Sequence, residues 1–130
     1  MKAWDTKVLI RHLPEDDPAQ LAIARAELNK AHRRGEPIWI SLVIAIETTW
    51  VLSAYELTKS EILSVLESVT ADTRFQIEHG SLLTEAIRRS RKKGDLPEHI
   101  VALRAKHEGV SKTQTFDKAL KRFTEFEILA

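Results

Sequence analysis

Asp5, Glu47, Glu98 and Asp117 stand far apart in the chain, each where an apolar run ends or a helix is expected to begin. Carboxylates brought together repel one another, so a cluster of three or four is stable mainly when a hard cation neutralises it, and oxygen-only ligation suits magnesium or manganese. The chemistry open to such a cluster is metal-assisted hydrolysis of a phosphodiester: a water of lowered pKa attacks in line with the leaving oxygen, and no protein nucleophile is required. Each placement also has a plainer reading. Asp5 lies inside Ala3-Trp4-Asp5-Thr6-Lys7-Val8-Leu9-Ile10, where burial is costly unless a cation or donors face the charge. Glu47 follows Ile44-Ala45-Ile46 and is otherwise a solvent-facing helix residue. Asp95 and Glu98, with Pro97 between them, match a capping box, and Asp117 after Thr115-Phe116 matches an N-cap. The four together carry more weight than any one of them.

The elements that would position these acids alternate between strand and helix. Residues 3–10 read as a buried strand, ended by Arg11-His12 and Pro14; a helix then starts at Asp17-Pro18, carries Leu21, Ala24, Ala26 and Leu28, and stops at Gly35-Glu36-Pro37. Ile38-Trp39-Ile40 is a short strand with Ser41 as its exit. A helix from Val43 to about Tyr55 buries Val43, Ile46, Trp50, Val51 and Ala54 and carries Glu47 in its first turns. Ser60-Glu61 opens another helix, with Ile62, Leu63, Val65, Leu66 and Val69 as its stripe; residues 74–77 form a strand. Helices over 79–93, stopped by Gly94, and from Asp95-Leu96-Pro97-Glu98 to Gly109 follow, with Ile100, Val101 and Leu103 in the second. Residues 113–116 are a strand, Asp117 starts a helical turn, and residues 126–129 are an edge strand. This order predicts an α/β fold, with parallel pairing through right-handed crossovers and helices on both faces of the sheet. Ligands bind such sheets beyond the carboxyl ends of the strands.

At 130 residues the chain fits one domain. No apolar run approaches the roughly 20 residues needed to cross a bilayer, Asp5 and Arg11 interrupt any secretory signal, and the cytoplasm is the expected compartment. With no cysteine, a metal must be held by oxygen or imidazole. The net charge of +1 makes no global case for nucleic acid, but Arg88, Arg89, Arg91, Lys92 and Lys93 form one basic run, and Lys112, Lys118, Lys121 and Arg122 form a second. The first run also suits a helix C-terminus. His12, His32, His79, His99 and His107 share no ligand spacing, and a surface or capping role is expected for His99. Trp4, Trp39 and Trp50 sit in apolar segments and are expected in the core rather than under bases. A nucleotide-binding loop is disfavoured, because none of the four glycines lies in a phosphate-cradling pattern. A haloacid-dehalogenase-like phosphatase would need a second carboxylate where Lys7 stands.

The order Asp5-Thr6-x-Val8-Leu9, Glu47 followed by Trp50-Val51-Leu52, Asp95-Leu96-Pro97-Glu98 and Thr115-Phe116-Asp117-Lys118, with Asp16-Asp17-Pro18-Ala19-Gln20 after the first strand, resembles a PIN domain of the VapC toxin type. The resemblance covers essentially the full length. It implies a single PIN domain over 1–130, a three-layer α/β/α fold with a central, mostly parallel sheet, and a magnesium- or manganese-dependent endoribonuclease. It also implies a homodimer built through the helices after residue 42, and a VapB-type antitoxin that wraps the toxin and blocks its site. On these positions Asp5, Glu47, Glu98 and Asp117 match the catalytic acids, with Asp5, Glu98 and Asp117 as metal ligands and Asp95, Thr115 and Thr6 in secondary roles.

Two departures stand out. Glu98 replaces the usual Asp, and one extra methylene shifts a carboxylate by roughly 1.5 Å, which an intervening water absorbs. Lys7 replaces the usual Asn. Successive strand residues face opposite sides, so Lys7 is expected to share a face with Asp5, and an ion pair about 4 Å apart gains on the order of 4 kcal/mol near the surface, before desolvation. Lys7 is then expected to compete with the metal and weaken activity; the alternative is that it extends to solvent. A catalytically silent PIN-like module that binds RNA or protein is the second functional reading.

Overall fold

The segment expected as one long first strand divides at Asp5. In the computed structural model, which describes residues 1–13 and 17–129, β1 is only Lys2–Ala3, and Thr6–His12 form helix α1. The cause is local: Asp5 is extended and its side chain accepts from the Val8 N–H at 3.2 Å, an N-cap that starts a helix where the apolar run continues. A short apolar run suits a buried strand or a buried helix equally well by periodicity, and here the cap decides. Pro14 and Asp16 lie outside the described residues.

The remaining elements follow the expected order. Helix α2 is Pro18–Arg33, with Asp17 accepting from Gln20 N at 3.1 Å; β2 is Ile38–Ile40 and α3 is Leu42–Ala54. Helix α4, Lys59–Ala71, starts from a Thr58/Glu61 capping box. Then come β3 (Phe75–Ile77), α5 (Gly80–Lys92), α6 (Leu96–His107), β4 (Thr113–Thr115), a 3-10 helix (Lys118–Arg122) and β5 (Phe126–Ile128). Every described ladder is parallel, as the alternation predicts. Strands β1, β2 and β3 pair in that order, with Lys2 opposite Ile38 and Ile38 opposite Phe75, while β4 and β5 pair in a ladder of their own.

Two apolar clusters make this a three-layer α/β/α fold. Trp4, Leu9, Ala24, Leu28, Ile38 and Phe75 pack α1 and α2 on the strands, and Leu52, Leu66, Leu83, Ala86, Ile87 and Ile100 join α3 to α6. The expected stripe of α3 is corrected: Val43 and Trp50 are 61% and 62% exposed, and Leu42, Ala45, Thr48, Thr49 and Leu52 face inward. The helix is apolar nearly all round, so its pattern cannot select a face. Thr48 and Thr49 tolerate burial because their hydroxyls donate to Ile44 O at 2.7 Å and Ile46 O at 2.6 Å. Val101, also expected inside, is 48% exposed, and Ala26 of α2 is likewise exposed.

Candidate active site

Asp5 sits just past the carboxyl end of β1, the edge where parallel sheets bind ligands. Beside it, Thr6 Oγ1 donates to Glu47 Oε2 at 2.9 Å, which ties the start of α1 to the middle of α3 across forty-one positions of sequence. Glu47 is half-buried and Asp5 exposed. The sequence marks Thr6 only as secondary, and its role is to hold this carboxylate.

Glu98 lies in the first turn of α6, where its Oε2 accepts from Asp95 N at 3.4 Å, so the capping-box reading is realised. The same helix start packs against α3 and α4. Asp95, Leu96 and Pro97 line a cavity of about 310 Å³ with Thr49, Trp50, Leu57 and Ile62, so the α6 N-terminus meets the turn of α3 that follows Glu47. Asp117 caps the 3-10 helix: its side chain accepts from Ala119 N at 3.0 Å, and its own N–H donates to Thr115 Oγ1 at 3.0 Å.

Capping is therefore the local role of Asp5, Glu98 and Asp117, yet each cap engages a single carboxylate oxygen. A carboxylate has two oxygens and about four acceptor sites, so capping does not exhaust it. None of the four acids has an ion-pair partner among the described residues. The structure bonds Thr6, the neighbour of Asp5 in sequence, to Glu47 and sets the start of α6 against α3. Asp117 is connected more loosely, through the far end of its helix, where Phe123 packs edge-on to His99, next to Glu98, at 4.8 Å between ring centroids. Among the described residues, no three of His, Asp and Glu approach closely enough to hold a metal ion.

The model of the PIN domain family matches residues 3–125. The chain belongs to the PIN domain family. It is also 24% identical over 124 residues to a VapC ribonuclease of Aquifex aeolicus (strain VF5), covering 94% of this chain and 91% of that relative. No solved structure matches it. The PIN domain match takes in all four acids, together with Thr6, Asp95 and Thr115, and ends just before β5.

Two sequence-based expectations for this PIN domain change. The strand alternation that would set Lys7 on the face of Asp5 does not hold, because Lys7 is in α1 and Asp5 is the extended N-cap before it. Lys7 lines instead an α1–α2 groove with Trp4, Val8, Gln20, Ile23 and Glu27. His99 is not a surface residue. It is 2% exposed, its Nε2 lies 2.7 Å from Lys93 O, and a carbonyl only accepts, so Nε2 carries the proton. Nδ1 is left buried without a partner among the described residues.

Sequence reasoning missed the exposure of Trp50 beside the site. Val43, Glu47, Trp50 and Ala54 share one helical face, and in a helix apolar nearly all round the single charge of Glu47 does not mark that face as the outer one. It also missed Glu78 after β3, whose Oε1 accepts from Leu42 N at 2.9 Å and so caps α3 from another strand. A bond over thirty-six positions leaves no local mark in the sequence.

Proposed function

We propose that this chain is the toxin of a VapBC-type toxin–antitoxin pair, a metal-dependent endoribonuclease that hydrolyses RNA phosphodiester bonds. The observation that carries the reading is a set of four carboxylates without internal cations, three of them held by one oxygen each at helix starts and the fourth by Thr6, in a PIN domain. The similarity to a VapC ribonuclease supports it. The donor set is all oxygen, which fits magnesium or manganese. Holding the ion would fall to Asp5, Glu98 and Asp117, which do not converge among the described residues and would have to close on it, and bound there it would supply Lewis acidity for attack of water on phosphorus. Glu47, with Oε2 engaged by Thr6, keeps Oε1 to orient that water and take its proton.

The reading includes one domain over the whole chain, a homodimer, a VapB-type antitoxin and a cytoplasmic location. Val43 and Trp50, exposed on α3, support a dimer face on the helices after residue 42. A second reading, a silent PIN-like module binding RNA or protein, is favoured by one observation: no three acids converge among the described residues. Cleavage of a labelled RNA with manganese decides between them. The nuclease reading expects cleavage that vanishes in Asp5→Ala; no cleavage by the unaltered chain and by Lys7→Asn rejects it. Attenuation by Lys7 is tested in the same assay, where equal rates and equal manganese affinity for the chain and Lys7→Asn reject it.

A further inference from the structure

The two basic runs, separate in sequence, meet in one cleft. Arg88, Arg89, Lys92 and Lys93 at the end of α5 and Arg122 at the end of the 3-10 helix line a cavity of about 270 Å³ whose other walls are His99, Phe123, Thr124 and Glu125. The ends of the two runs touch: Lys93 Nζ donates to Arg122 O at 3.4 Å. Both cations also lie over the Phe123 ring, Lys93 Nζ at 5.6 Å and the Arg122 guanidinium carbon at 5.5 Å from its centroid. That geometry holds two long side chains at the cleft without neutralising either.

Its charge is unbalanced. Glu125, the one carboxylate in the lining, is engaged by Arg89 at 2.8 Å, and Arg88 and Arg89 share Glu85. Lys92, Lys93 and Arg122 have no acidic partner among the described residues. Three like charges around one concavity repel each other unless a polyanion offsets them. The cleft is also joined to the acids: His99 in its wall adjoins Glu98, and the 3-10 helix that ends at Arg122 spans roughly 10 Å back to Asp117.

We infer that this cleft is the track for the phosphate backbone of single-stranded RNA, with Lys92, Lys93 and Arg122 as its phosphate-binding residues, leading the strand to the carboxylate rim. The inference rests on the nuclease reading for the identity of the polyanion and adds where it binds. These cations neutralise phosphates without reading bases, so the cleft contributes affinity that is sequence-independent and salt-dependent.

The test is fluorescence anisotropy with a labelled single-stranded RNA 20-mer in chelator, titrated across salt concentrations. The variant is Lys92→Gln/Lys93→Gln/Arg122→Gln, all three positions being exposed, and the control is Lys30→Gln/Arg33→Gln/Arg34→Gln at the exposed end of α2. With about 0.7 counterions released per phosphate contact, the log–log salt slope becomes shallower by about 2 in the cleft variant, and affinity at low salt falls by about tenfold or more. The control matches the unaltered chain. A single charge reversal, Lys92→Glu, gives a smaller loss in the same direction and guards against misfolding of the triple variant. Equal slope and affinity in the cleft variants, or no RNA binding by the unaltered chain, overturns the inference. So does competition by polyglutamate of equal charge as effective as RNA, which assigns the cleft to an acidic protein. RNA binding through these residues without manganese-dependent cleavage overturns the nuclease reading alone.

Discussion

Glu85 accepts from both Arg88 and Arg89, Arg89 reaches on to Glu125 at 2.8 Å, and Asp72 holds Arg74 at 2.7 Å. Asp5, Glu47 and Glu98, by contrast, meet a hydroxyl or backbone N–H groups but no cation among the described residues. The arginines leave their mark on protonation: Arg88 and then Arg89 hold the Glu85 carboxyl at about 2, and Arg74 keeps Asp72 below its usual range. Glu125, whose burial acts the other way, is still drawn down by Arg89. The first group uses its charge internally: Glu85 pairs within α5, Asp72 with Arg74 ahead of β3, and Arg89 ties α5 to Glu125 just before β5. Asp5, Glu47 and Glu98 keep theirs unpaired among the described residues.

The sharpest way to break this comparison is Asp5→Asn, which preserves an N-cap while removing the charge. RNA cleavage falls by about 100-fold or more, with the melting temperature nearly unchanged; a cap-only role would leave cleavage intact. Gly94→Ala tests the joint between the regions. Gly94 has φ +78°, and an added Cβ would lie 2.5 Å from Phe123 Cζ and 3.0 Å from His99 Nε2. Denaturant unfolding should show a loss of about 2 kcal/mol, with cleavage reduced as Phe123 and His99 move apart.

Thr6→Val removes the hydroxyl that fixes Glu47, and kcat falls about tenfold with KM little changed. In the paired region, Asp72→Asn weakens the contact with Arg74, costing about 1 kcal/mol by denaturant unfolding and leaving cleavage unaltered. The smallest effect is on acid stability, followed by unfolding at stepped pH. Burial, then Arg74 and Arg25, lower the His12 pKa from its ordinary 6.5, so the unfolded chain takes up that proton first, and stability declines as pH falls below about 6.5. The paired carboxylates add a second decline: their stabilisation is present above about 4.5 and is lost as pH falls toward their lowered folded values. Asp5→Asn leaves both declines in place.

Much of this molecule is legible in local chemistry. Asp17-Pro18, Thr58 with Glu61, and Asp95 with Glu98 mark helix starts because capping needs only neighbours three residues apart, and Gly94 marks a stop because few other residues accept a positive φ. The alternation of these elements also dictates parallel pairing, since consecutive parallel strands need a crossover. The residue types of the rim, all oxygen donors with no cysteine to compete, likewise follow from composition.

What a linear chain cannot express is which face of a uniformly apolar segment turns inward, and which distant partners meet. Val8-Leu9-Ile10 became helix because one carboxylate capped it, and Trp50 faced outward because Thr48 and Thr49 could satisfy their hydroxyls within α3. The Thr6–Glu47 bond, the Leu42–Glu78 cap and the meeting of Lys93 with Arg122 are decided by packing alone. Each joins groups dozens of residues apart, and no local propensity acts over that separation; only burial of the two apolar clusters brings them within hydrogen-bonding reach.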